Sequence, residues 1–193
     1  MSQRGRRAIK GILIGLVLIA LVVGYYFYLS NRKPKEAAED TETTVSAVQK
    51  LLLKNNDDYP PTPREVLKLY SDITVCFYSE DYTDEELTQL ALQIEKLYDE
   101  ELIANNTPDQ YQKNLRWDIK TMKDKNLRVT SYSVASATDV DYFDAGGRSW
   151  ARLSCTYTIR SGKEAGLARE IFLLRKDDMG HWKIYGWEAA KER

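Results

Sequence analysis

The chain has 193 residues, room for one domain and an accessory segment, and its 43% apolar and 30% charged residues exclude a repeat array, a collagen-like chain and a wholly disordered one. Two cysteines and one histidine exclude a disulfide scaffold, a Cys-rich zinc site and any centre needing several histidines. The net charge of −1 hides an asymmetry: residues 1–35 carry seven Lys and Arg and no acid, which leaves 21 basic and 29 acidic residues, a net of −8, in residues 36–193, so nucleic acid is not an expected partner.

Residues 11–31 form an uncharged apolar run. As a helix rising about 1.5 Å per residue it would match a hydrocarbon layer about 30 Å thick. The run is longer than the apolar core of a signal peptide, and no small-residue cleavage site follows it. It reads as an uncleaved transmembrane signal anchor, with the lipid bilayer as its partner. Arg4, Arg6, Arg7 and Lys10 precede it and make residues 1–10 a basic tail, which the positive-inside rule keeps in the cytoplasm. The expected location is the cell membrane, crossed once, with the C-terminal domain outside. Residues 32–44 are polar, lack apolar periodicity and read as a tether.

The domain expected over residues 45–193 begins with helices. A short one fits Val45–Lys54, and Asn55–Pro61 then breaks the chain. Thr62, Thr83 and Thr107 each stand three residues before Glu65, Glu86 or Gln110, the spacing of a capping box. Pro63 and Pro108 occupy the first helical position, where no N–H is missed. The first of these helices is expected to reach about Tyr78. The second carries Leu87, Leu90, Ala91, Ile94, Leu97, Tyr98 and Leu102 at spacings of three and four, one apolar stripe through residue 102. The third carries Tyr111, Leu115, Ile119 and Met122.

After about Asn126 the period changes to two. Val129–Ala137, Ala151–Ile159, Ile171–Leu174 and His181–Trp187 read as four strands, joined by turns at Asp144–Gly147, Ser161–Gly166 and Asp177–Gly180. Helices first and strands second imply an α+β fold with an antiparallel sheet. Gly186 marks an expected bulge that bends the last strand, so that sheet and helices enclose a cone.

The amphipathic helices followed by a sheet ending in LLRKDDMGHWKIYGWE (Leu173–Glu188) resemble the nuclear-transport-factor-2-like (cystatin-like) superfamily. With GYYFYLSNR (Gly24–Arg32), DDYPPTPREVLKLY (Asp57–Tyr70), YDEELI (Tyr98–Ile103) and SYSV (Ser131–Val134), the chain resembles an uncharacterised branch, a domain-of-unknown-function family of membrane-anchored proteins from Gram-positive gut bacteria. The resemblance implies a bent four-stranded sheet behind an N-terminal transmembrane helix. Enzymes of that superfamily place an Asp, His or Tyr inside the cone for proton transfer. The groups available here to line it include Asp99, Tyr132, Tyr157 and Tyr185.

No phosphate-loop, dinucleotide-binding, zinc-protease, nucleophile-elbow or calcium-loop motif occurs, and no cofactor or metal is expected. Asp139, Asp141 and Asp144 read as a solvated loop, His181 as a turn residue, and Cys76 and Cys155 as free buried thiols. Trp150 falls on the outward alternation of its strand, and a bend of the sheet is expected to cover it. The leading expectation is a non-enzymatic module of the cell envelope that binds another envelope protein or a small ligand, its oligomeric state open. The competing one is an acid–base enzyme, of isomerase or dehydratase type, working on a small apolar substrate in the cone.

Overall fold

The computed structural model describes residues 46–53, 59–104 and 107–190. Helices come first: α1 (Ala47–Leu53), α2 (Pro63–Ser79), α3 (Asp84–Glu95), the short α4 (Glu100–Ala104) and α5 (Pro108–Asp124). Five strands follow: β1 (Leu127–Val134), β2 (Asp141–Ala145), β3 (Arg148–Ser161), β4 (Glu164–Lys176) and β5 (Trp182–Ala189). The fold is α+β.

All three threonines cap, by unequal means. Only Thr83 forms a complete box, its hydroxyl accepting from the Glu86 N–H while the Glu86 carboxylate accepts from the Thr83 N–H. Thr62 accepts from the Glu65 N–H and turns its own hydroxyl to that carboxylate. Thr107 accepts from the Gln110 N–H, and the Gln110 amide turns to Asn114 instead.

The apolar stripe of the second long helix does not run through as one helix. α3 ends at Glu95, and the chain drops onto the sheet. Tyr98 makes an isolated parallel bridge to Ile184, with the Ile184 N–H donating to the Leu97 carbonyl at 2.7 Å and the Asp99 N–H donating to the Ile184 carbonyl at 2.9 Å. No glycine or proline marks the break. Leu97 and Tyr98 keep their buried positions because the bridge, like the helix it replaces, buries them.

The sheet is antiparallel in the order β1-β3-β4-β5. β1 pairs with residues 155–161 of the long β3, and β2 pairs with residues 148–152 of the same strand. Among the described residues the sheet therefore has five strands, not four. The fifth, β2, lies where a solvated loop was expected. Its Asp141 and Asp144 are poor strand formers, and what recruits the segment is pairing with β3 and the stacking of Phe143 on Trp150 at 6.3 Å. Gly146 and Gly147 both have positive φ, as a two-residue turn of matching twist requires. In β5 the register slips so that Leu173 faces Gly186 and Leu174 faces Ile184, which leaves Tyr185 as the extra residue of a bulge.

Even-numbered positions of β4 and odd-numbered ones of β3 face the helices. Ala151, Cys155, Phe172, Leu174 and Ile184 are fully buried there, together with Val66, Leu67 and Ile73 of α2. The helix-facing side, expected to line a cavity, is packed by its own side chains. The other expected component of the fold, a transmembrane helix over residues 11–31, is not part of the described architecture. Among the described residues no helix is long and apolar enough to cross a membrane. Residues 11–31 and the tether over residues 32–44 lie outside them.

Candidate functional site

The four residues chosen from the sequence fall in three places. Tyr157 is buried between α2 and β3, its hydroxyl 2.9 Å from Ser71 Oγ, which also lies 3.5 Å from Cys155 Sγ. Tyr132 donates to the Asp72 carboxylate at 2.6 Å on the outer turn of the same helix. Asp99 and Tyr185 meet at a third place, around Arg175. Cys76 and Cys155 are both buried and free. Burial pushes the Cys76 thiol up to about 11.

Arg175 comes from β4 on the face away from the helices, yet it is only 6% exposed. Its Nε and one terminal nitrogen donate to the two Asp99 oxygens at 2.9 and 2.6 Å, and the other terminal nitrogen donates to Glu101 at 2.7 Å. The Tyr185 hydroxyl donates to the second Glu101 oxygen at 2.9 Å. The guanidinium also lies 5.0 Å from the Tyr185 ring centre and 5.5 Å from that of Trp150. Hydrogen bonds from Arg175 and Tyr185 hold the Glu101 carboxyl below the usual range. A fork with all three nitrogens engaged and aromatic rings beside it is a structural clasp. It pins the segment that interrupts the α3 stripe to the sheet. It also accounts for Trp150, which Phe143, Tyr185 and Arg175 cover on the outward side.

Sequence reasoning missed two groups. Glu170 pairs in register with the buried Cys155, so it occupies a helix-facing position of β4. It is half-buried, burial raises its pKa, and it makes no ion pair or side-chain hydrogen bond among the described residues. Its charge is felt by Tyr70, Tyr78 and Tyr157. Close by in register, Trp187 stacks on Phe172 at 5.8 Å, and Tyr70, Tyr98 and Tyr111 extend the aromatic cluster. The available signal was alternation, because Glu170 shares the parity of Phe172 and Leu174.

The second missed group lies on the helical side. An open groove of about 670 Å³ is lined by Leu52 of α1, Gln89, Leu92, Gln93 and Glu95 of α3, Lys96, and Ile103 of α4. Leu92 and Ile103 are exposed. Gln93, in contrast, is buried within the α3 stripe, beside Leu90 and Ile94. A glutamine in an apolar stripe was the sequence signal. The carboxylates of Asp141 and Asp144 face Arg152 and Ser149, and among the described residues no group of three or more potential ligands could hold a metal ion.

No curated protein matches the chain. A family model matches residues 1–187, nearly the whole length, and by that match the chain belongs to the family described as Domain of unknown function (DUF6715).

Proposed function

We propose that this chain is a binding module of the cell envelope, and that the groove between α1, α3 and α4 is where it binds. The observation that carries the reading is the groove itself, an open recess of about 670 Å³ with exposed apolar walls on an otherwise well-packed domain. The packed helix-facing side of the sheet and the fully engaged Arg175 support binding over catalysis. Its place outside the cytoplasmic membrane, retained there by the apolar residues 11–31, is part of the proposal and rests on sequence alone. The likeness to the nuclear-transport-factor-2-like superfamily is also part of the proposal, and the order of helices before an antiparallel sheet supports it.

The test is site-directed photocrosslinking in intact cells. A benzoylphenylalanine at Leu92 is expected to give discrete adducts, and one at the exposed Leu167 on the β3–β4 hairpin is not. Equal labelling from both positions, or none from Leu92, defeats the reading. Externally added protease tests the location, since it should digest the domain in spheroplasts without lysis.

One observation favours the acid–base alternative: Glu170 is a half-buried carboxyl without a charge partner among the described residues, set among tyrosines. Under that reading Glu170→Gln abolishes turnover of a substrate while the fold and its melting temperature survive. Under the binding reading the same variant leaves the adducts at position 92 unchanged.

A further inference from the structure

The apolar walls of the groove do not account for Gln93. The residue is 6% exposed, and its Nε2 donates to the Leu51 carbonyl at 3.3 Å. That contact fixes the orientation of the amide, because turning it over would set oxygen against oxygen. The Oε1 atom is left buried with no hydrogen-bond partner among the described residues. An unpaired buried acceptor is costly, and a leucine in the same stripe would avoid the cost.

Glu95 stands two residues on and lines the same groove. It is half-buried, burial raises its pKa, and it has no ion-pair or side-chain hydrogen-bond partner among the described residues. The groove thus combines the apolar Leu52, Leu92 and Ile103 with a carboxylate uncompensated among the described residues, and an amide oxygen unmet among them lies beneath its wall, on a portion of chain carrying a net charge of −8. Among the described residues Lys96 supplies the one cation of the lining. What these groups lack in common is a hydrogen-bond donor bearing positive charge, attached to something apolar.

We propose that the groove docks an apolar segment of a partner protein carrying a lysine or arginine, whose N–H groups are taken up by Glu95 and Gln93 Oε1. The apolar side chains of the segment cover Leu92 and Ile103. Gln93 Oε1 has no contact with solvent, so the donor meets it as the groove wall rearranges around the segment. This rests on the groove being the binding surface, and it adds the chemistry of the occupant.

The experiment uses the purified full chain and two fluorescent, end-capped twelve-residue probes. Both are leucine- and alanine-rich and differ only at the central position, lysine in one and norleucine in the other. The lysine peptide is expected to bind at least tenfold more tightly by fluorescence anisotropy. Gln93→Met and Glu95→Gln each reduce that preference several-fold. Leu92→Asn weakens both peptides, and circular dichroism serves as the control for folding. Equal affinity for the two peptides, or a preference that survives Gln93→Met and Glu95→Gln together, overturns the proposed chemistry and leaves the groove as a purely apolar surface. Failure of both peptides to bind, alongside adducts at position 92, overturns the proposed chemistry alone. Failure of both without adducts overturns the binding reading as well.

Discussion

Asp99 shows what a single residue contributes once its partner is known. It is 2% exposed, and both its oxygens are occupied by Arg175. Taking two charges out of water costs several kcal/mol each, and the bidentate geometry recovers that cost only while both partners are present. Arg175→Leu therefore leaves an uncompensated buried carboxylate and is expected to lower stability by about 3–5 kcal/mol in urea unfolding. The double variant Asp99→Leu with Arg175→Leu is expected to regain most of the loss. A double variant no more stable than the single one would show that the clasp contributes through packing against Trp150 and Tyr185, not through its charges. Nothing in the local sequence announces this pair. One of three neighbouring acids in YDEELI and the arginine of LLRKDD carry no local sign of each other, and only the long-range approach of residue 99 to residue 175 buries them as a pair.

At the scale of elements, the legible features were those encoded within a few residues. Threonine caps placed the starts of α2, α3 and α5, and strict alternation placed β3 with its buried face. Features set by distant partners were not legible. β2 exists because β3 extends far enough to pair with it, and α3 stops because Ile184 captures Leu97 and Asp99. The bulge in β5 was anticipated at Gly186, and the structure locates its cause. The extra residue is Tyr185, and a Cβ added at Gly186 would meet nothing within 4 Å. Gly186→Ala is accordingly expected to change stability by less than about 0.5 kcal/mol. Gly147 has a φ of +76°, where an L side chain is strained, so Gly147→Ala is expected to cost about 1 kcal/mol by the same unfolding measurement. A larger cost at Gly186 than at Gly147 would mean that the bulge, not the β2–β3 turn, depends on glycine.

Across the whole molecule the dominant feature is how the tyrosines are used. The sequence has 13, and eight of them (Tyr59, Tyr70, Tyr78, Tyr82, Tyr98, Tyr111, Tyr132 and Tyr157) have phenols raised above their usual range, each chiefly by burial. Burial holds Tyr98, for example, at about 12. They come from the segment before α2, from α2, from the α2–α3 connection, from the extension of α3, and from α5, β1 and β3, so they report on the domain as one body. The sequence showed their number but not their burial, because a phenol on a helical stripe and one at a surface look alike without the opposing element. The sign of the effect follows from linkage. A phenol whose folded pKa exceeds its unfolded value of about 10 stabilises the fold fully below pH 10, and that stability is lost as pH rises towards the folded value, since the unfolded chain releases the proton first. With eight such groups the slope is shared and steep. Raising the pH from 9 to 12.5 is expected to produce a single cooperative rise in phenolate absorbance at 295 nm, coincident with loss of the far-ultraviolet dichroism of the helices. A gradual titration centred near pH 10, completed while the dichroism is still native, would mean that these side chains are open to water and that the helices do not close over the sheet as described.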